Sequence, residues 1–260
     1  DMIDVTVAGA TGKLGSMVCS LIREQKDMRL VGAIVSAEGG KAGTELYPGV
    51  IAVAPDGLEE ACRRSAVLVD VTNAAAVEKN LPVALRAGTN VVVGTTGLSP
   101  EMLDRIGEMV GKSGSSALVT PNFSIGVNVF WKACQTLARA LPEYEVEIVE
   151  MHHDRKKDAP SGTAVKAAQL ISAETGVDRL VHGREGMVGA RGREIGIHAV
   201  RAGDIVGEHT VIFAGNRERI ELTHRAHSRM AFAEGCIAAV RWVAPLRDGK
   251  VHGMDEVLGI

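Results

Sequence analysis

From the N-terminus to Asn122, short β-branched runs alternate with helical stretches. Val5–Ala8, Leu30–Val35, Val67–Val71, Asn90–Gly94 and Ala117–Thr120 read as strands. Leu14–Gln25 reads as a helix with Leu14, Met17, Val18, Leu21 and Ile22 on one face, and Ala74–Ala87 as a second. A third opens at Ser99-Pro100, where the serine caps and the proline sits in the first turn, its missing N–H costing nothing. Strands that alternate with helices build a parallel sheet covered on both faces. The expected class is α/β, opening on a Rossmann-like, doubly wound domain.

Past Asn122 the pattern changes. Val127–Leu141 reads as a helix, Tyr144–Met151 as a long strand, and Thr163 to about Ala173 as another helix. Ile195–Arg201, Glu208–Ala214 and Arg219–His224 follow as strands with no helices between them. In the last, Ile220 and Leu222 alternate with Arg219, Glu221 and Thr223, as in a half-exposed strand. Such a succession suggests a second, α+β domain on an open, mostly antiparallel sheet, with a helix-free face left for a subunit partner. From Met230 through Val243 the chain turns helical again, with Cys236, Ile237, Val240 and Val243 on one side.

Composition narrows the function classes. With 46% hydrophobic and 23% charged residues, the 260-residue chain is ordinary for a globular enzyme of one large or two modest domains. A net charge of -3 provides no general attraction to nucleic acid or to membrane surfaces, and 3% aromatics disfavour base-stacking modules. No apolar run approaches the ~18 residues of a membrane span. Asp1 leads directly into Val5-Thr6-Val7, so no secretory leader is expected and a cytoplasmic location is. Cys19, Cys62, Cys134 and Cys236 form no C-x-x-C pair and read as free, buried thiols.

The first candidate chemistry is Gly9-Ala10-Thr11-Gly12-Lys13-Leu14-Gly15, between the first strand and the first helix. Glycines in this setting allow a tight turn and bring backbone N–H groups to a pyrophosphate, which points to a dinucleotide. No Walker Lys-Ser/Thr pair is present, which argues against a nucleoside triphosphatase. Ser36 stands where the second strand of an NAD-binding unit normally ends in an acid, with Glu38 two residues on. A serine donates to a 2′-phosphate and Lys13 neutralises it, so the reading leans to NADPH, with NADH as the alternative. Gly94-Thr95-Thr96-Gly97 and Thr120-Pro121-Asn122-Phe123-Ser124 end later strands and are candidates to face the nicotinamide half, Phe123 packing against its ring. The residues alone also admit a solvated helix start at Lys13, an ordinary loop at Gly94–Gly97 and a rigid hinge at Thr120–Ser124.

The second is Glu150 through Ala164, in which five basic side chains lead into Pro160-Ser161-Gly162-Thr163. A capping hydroxyl and free N–H groups at a helix start form an anion site. His152, His153 and Lys156 beside it can supply both charge and protons. Together they fit a small dicarboxylate that is protonated as hydride arrives, with His152 or Lys156 as proton source. A double histidine with no third ligand at a convincing spacing argues against a metal. A semialdehyde dehydrogenase needs a nucleophilic cysteine, and Cys134 lies in an apolar helix beside Trp131. A non-catalytic nucleotide sensor has no use for His152 and Lys156 at an anion-binding turn.

The sequence resembles the 4-hydroxy-tetrahydrodipicolinate (dihydrodipicolinate) reductase family along essentially its whole length. The resemblance rests on Gly9–Gly15, Gly94–Gly97 and Asn122–Asn128. Its most specific parts are the H-H-x-x-K-x-D-A-P-S-G-T run ending at Thr163 and Arg201-Ala202-Gly203-Asp204-Ile205-Val206-Gly207-Glu208-His209. It implies an NAD(P)H-dependent reduction in the diaminopimelate route to lysine. His152 would be the acid/base and Lys156 the proton donor, with His153, Ser161, Gly162 and Thr163 on the substrate carboxylates. The cofactor would meet Gly9–Leu14, Gly94–Thr96 and Thr120–Phe123. It further implies a split dinucleotide-binding domain, residues 1–122 plus 231–260, a substrate-binding and oligomerisation domain, 123–230, and a homotetramer. The chain departs from the family pattern at Ser36-Ala37, where many members carry an acid, and at Val71-Thr72-Asn73, where many carry Phe-Thr.

Overall fold

Residues 2–260 are described by a computed structural model. The chain falls into two units, one running to Ile125 and resuming over Met230–Gly259, the other spanning Gly126–Arg229. In chain order the first stretch carries β1 (Ile3–Ala8), α1 (Lys13–Glu24), β2 (Met28–Ile34), β3 (Glu45–Tyr47), β4 (Val50–Val53), α2 (Leu58–Arg63), β5 (Val67–Asp70), α3 (Ala74–Arg86), β6 (Asn90–Val93), α4 (Pro100–Ser113) and β7 (Ala117–Val119). Then come α5 (Ile125–Ala140), β8 (Glu145–His152), α6 (Gly162–Thr175), β9 (Leu180–Val181), β10 (Ile195–Arg201), β11 (Glu208–Gly215) and β12 (Glu218–Arg225). The return to the first unit is made by α7 (Met230–Val243), β13 (Val251–His252) and α8 (Met254–Leu258).

The first unit is an eight-stranded sheet in the order β13-β7-β6-β5-β1-β2-β4-β3. Its pairings are parallel except for β3 against β4. Successive side chains point to opposite faces, so each apolar strand feeds two cores. Val5, Val7, Val67, Val69 and Val92 pack with α1 and α7 on one face. Ala8, Leu68, Val91 and Val93 pack with α2, α3 and α4 on the other. Ser99 caps α4 as its sequence suggests, accepting from Met102 N. The sequence pattern misses β3, β4, α2 and the edge strand β13, because pieces of two to six residues are too short to show a period.

Asn90, a buried polar residue at the start of β6, fastens the returning segment. Its amide donates to Val243 O at 2.8 Å and Leu246 O at 2.9 Å, and accepts from Ser116 N at 2.9 Å. All four cysteines are free and buried. Burial pushes the thiols of Cys19, Cys62 and Cys134 up to about 12, so none is an activated nucleophile.

In the second unit the sheet order is β12-β11-β8-β10-β9. It is mixed: β12–β11 and β11–β8 are antiparallel, β8–β10 and β10–β9 parallel. The parallel half, more than the succession of strands suggests, arises because the chain between β8 and β10 crosses over through α6. One face carries Val146, Ile148, Ile195, Ile197, Val211 and Phe213 under α5 and α6. Across from it, Glu147 bonds Arg184, Arg191 and His198, which ties the loop before β10 to the sheet.

Close packing yields a stability test. A Cβ at Gly235 in α7 would overlap the carbonyl oxygen of Phe123, whereas one at Gly107 in α4 meets nothing within 4 Å. Gly235→Ala is expected to destabilise by about 1–3 kcal/mol, and Gly107→Ala to stabilise by roughly 0.5–1 kcal/mol. Thermal unfolding of both variants checks the contrast, and equal midpoints would contradict the packing of α7 on Phe123.

Candidate active site

Each unit brings one set of polar groups together. In the first, Gly9 turns the chain out of β1 at φ +84, where a Cβ would meet Val71 O at 2.9 Å. Gly15 has no room for one either, facing the carbonyl of Gly9. Gly12 caps α1 without a side-chain hydrogen bond, and no acidic residue occupies the first turn. The uncapped N–H groups and the positive helix end are therefore left for an anion.

Beside this turn lies a cavity of about 690 Å³, lined by Gly9, Thr11, Gly12, Ser36, Glu38, Thr72, Asn73 and Lys79 among others. Of the residues picked from sequence, Gly9, Thr11, Gly12 and Ser36 line it. Ala10 is buried and Leu14 half-buried in the core below, and Lys13 is exposed and does not line it. Lys79 supplies a cation on the wall that the sequence pattern did not single out, because its helix, α3, is distant in sequence from the glycine turn. Ser36 Oγ accepts from Glu38 N at 3.3 Å, which keeps its proton free to donate outward.

The strand-end loops lie apart from this cavity. Thr95 is buried with its hydroxyl unpartnered, an open hydrogen-bonding position beside the end of β6. Gly94 is half-buried and Thr96 exposed. Thr120 Oγ1 donates to Asn122 O at 2.8 Å, holding the turn at the exposed Pro121. Phe123, expected from the sequence to pack against a nicotinamide ring, turns its side chain into the protein instead. Its side chain is 2% exposed and packs against Gly94, where any Cβ would collide with the ring. Phe123 supports the loop from below and presents no free face.

In the second unit the site grows from the strand period. Val146 and Ile148 place Glu150 and His152 on the helix-covered face at the end of β8. Register sets Arg201 of β10 opposite His152, and His209 of β11 opposite Glu150. The Glu150 carboxylate is fully buried and accepts from His152 Nδ1 at 2.6 Å, from Ser161 N at 2.9 Å and from both Arg201 Nη atoms at 2.8 Å. Burial alone would raise its pKa; the hydrogen bonds from His152, Arg201 and Ser161 outweigh it and bring the group to about 2. His209 bonds Ser161 Oγ at 2.8 Å, and burial lowers its pKa to about 3, so it is neutral.

Ser161 caps α6 by accepting from Ala164 N at 3.2 Å, while Gly162 has open space around it. Thr163 O accepts from Trp131 Nε1 at 3.0 Å, fixing the first turn of α6 against α5. Arg229 donates to His153 Nε2 at 3.2 Å, which leaves the His153 proton on Nδ1, buried and without an acceptor. Desolvation and the charges of Arg229 and Arg155 lower the His153 pKa, keeping the ring neutral. Lys156 Nζ meets both Asp158 oxygens at 2.8 Å. All six residues picked from this segment thus cluster at the junction of β8 with α6. Glu150, Arg201, His209 and Arg229 were not assigned a role, although a carboxylate in phase with Val146 and Ile148 was a readable signal. A separate hollow of about 350 Å³, lined by Tyr144, Thr175, Arg191 and Arg193 among others, contains none of the sequence-picked residues.

A glycine turn on a doubly wound sheet, and a histidine backed by a buried carboxylate beside the start of α6, fit an oxidoreductase of the two-unit dehydrogenase class. Family models for the N-terminus and C-terminus of dihydrodipicolinate reductase match residues 3–123 and 126–258. The chain is 47% identical to the 4-hydroxy-tetrahydrodipicolinate reductase of Methanosarcina barkeri, with all of both chains covered. It is 44% identical to that of Methanocaldococcus jannaschii, covering all of this chain and 98% of the other. The dipicolinate-bound dihydrodipicolinate reductase of Paenisporosarcina sp. TG-14 superposes with a TM-score of 0.82 at 27% identity, covering 98% of this chain and 99% of the other. The chain belongs to the dihydrodipicolinate reductase family. Among the described residues no helix is long and apolar enough to cross a membrane.

The ionised state of Glu150 has a consequence for acid stability. Its folded pKa of about 2 lies below that of an unfolded glutamate, ~4.3. The stabilisation is therefore complete above the unfolded value and is lost as pH falls toward the folded one. Glu147, brought to about 2 despite burial by Arg184, His198 and Arg191, acts in the same window. Urea unfolding is expected to show a lower free energy at about pH 3 than at about pH 5; equal values would contradict both assignments.

Proposed function

We propose that the protein reduces 4-hydroxy-tetrahydrodipicolinate to tetrahydrodipicolinate in the diaminopimelate route to lysine, using NADPH in preference to NADH. The observation that carries this reading is the junction of β8 and α6. Lys156, a neutral His153 with an unpaired N–H, His152 and an open helix start belong to that junction. These groups suit a small ring bearing two carboxylates. Ser161, Gly162 and Thr163 present the helix N-terminus to one carboxylate, and His153 Nδ1 donates to a carboxylate oxygen. Lys156, on releasing Asp158, supplies charge and a proton, and His152 exchanges a proton at its ring.

The residues of the first unit fit a nicotinamide dinucleotide: the uncapped turn Gly9–Leu14 takes the pyrophosphate, and the unpaired Thr95 hydroxyl suits a carboxamide. Gly94, Thr96 and the backbone of Thr120–Phe123 are assigned to the same half. When bound, the reduced nicotinamide supplies the hydride. The net conversion takes up one hydride and one proton, and a water leaves from the hydroxylated ring. Residues 1–122 with 231–260 are assigned to the dinucleotide, and 123–230 to substrate and assembly. A homotetramer in the cytoplasm, with no nucleic-acid or membrane partner and no metal, completes the proposal.

Ser36 and Lys79 on the cavity wall support a 2′-phosphate, while Glu38 on the same wall supports NADH as the second reading. Michaelis constants for the two cofactors decide; a strong preference for NADH removes the NADPH assignment.

The activity itself is tested by coupling to the condensation of pyruvate with aspartate semialdehyde and following NADPH absorbance. Loss of absorbance should require the condensation product. His152→Ala and Lys156→Ala should each lower kcat by roughly 10²–10⁴-fold with little change in cofactor binding. Unaltered turnover in both would remove their assigned roles.

A further inference from the structure

The Glu150 carboxylate is completely buried, so solvent does not neutralise it. Three segments converge on it instead: His152 two residues along β8, both arms of Arg201 from β10, and the backbone N–H of Ser161 at the start of α6. An ionised carboxylate only accepts hydrogen bonds, so the His152 nitrogen 2.6 Å from it must carry a proton. That nitrogen is Nδ1. The opposite tautomer would set a ring lone pair against a buried anion. The remaining nitrogen, Nε2, faces Gly207, whose missing side chain leaves it clear: a Cβ there would stand 3.1 Å away.

Resting on the acid/base reading of His152, we infer that Glu150 is the positioning residue of this enzyme, holding His152 as the Nδ1–H tautomer so that Nε2 alone exchanges a proton with the substrate. Arg201 completes the device. By pairing with both oxygens it balances the Glu150 charge, so His152 is backed by a neutral pair rather than a bare anion. Arg201 also donates to Asp158 O at 2.8 Å, tying the loop that carries Lys156 to the same carboxylate. Arg201 is thereby committed to Glu150 and Asp158, and the substrate carboxylates fall to other cations. Nearby stand the neutral ring of His209 on β11, 5.2 Å away between centroids, and the neutral ring of the adjacent His153. Neither accepts a proton from Nδ1.

Nitrogen-15 NMR of the intact protein, with the His152 signals assigned by difference from His152→Ala, reads the tautomer directly. Above its titration His152 should show a protonated Nδ1 and an unprotonated Nε2; the reverse pattern overturns the inference. Glu150→Gln places an amide where its NH₂ can donate to Nδ1. It should shift the ring toward Nε2–H, lower kcat at least about 100-fold, abolish the His152 limb of the pH–rate profile and leave the cofactor Michaelis constant unchanged. Glu150→Asp should keep the tautomer and recover part of the rate. Arg201→Lys loses the two-armed pairing but retains a positive charge, and should keep Nδ1–H while moving the limb. If Glu150→Gln does not fold, the wild-type spectrum and the other two variants decide. If His152→Ala leaves turnover intact, the inference falls with the reading beneath it. If His152→Ala is inactive while Glu150→Gln retains both tautomer and rate, the inference alone falls.

Discussion

A carboxylate taken wholly out of water is the constraint on which the second unit is arranged. Removing an ion of this size from solvent costs several kcal/mol unless partners of good geometry replace the lost hydration. Beyond His152 on its own strand, Glu150 finds them because a parallel strand, β10, delivers Arg201 beside it and because Ser161, which caps α6, aims its backbone N–H at the same point. The crossover through α6, the mixed sheet and the polar end of an otherwise apolar face are three views of one requirement.

The first unit rests on a different condition, close approach of backbones. Gly9 and Gly15 let the first turn fold back beneath α1, and Gly235 lets α7 lie against the chain at Phe123. Their contribution is space, which is why a single methyl group matters at each. The same turn leaves the first N–H groups of α1 without a side-chain acceptor.

Much of this was legible in the residues. Helices with a regular apolar stripe, such as α1 and α7, and strands of continuous branched residues, such as β5 and β6, were readable within a residue or two. The short strands β3, β4 and β13 were not, because two to four residues leave no period to detect. In the site, the histidine pair, Lys156 and the Ser161–Thr163 turn stood out because they are contiguous. Arg201, His209 and Arg229 reach the same place only through sheet register and chain return, which local spacing does not encode. Phe123 was misjudged because an aromatic residue at a strand end reads as a ligand platform until Gly94 is seen to occupy its face.

The order in which the chain visits its two sheets carries a cost in time. The core that seals one side of the first sheet contains Ala233, Cys236, Val240 and Val243, and the sheet's last strand, β13, pairs with Ala117 and Leu118. During synthesis the amino-terminal half therefore emerges with one greasy face only partly covered, by α1, and waits for more than a hundred further residues before the rest of that wall arrives. The inserted unit, contiguous from Gly126 to Arg229, is free to mature first, so its neighbour, though begun earlier, finishes last.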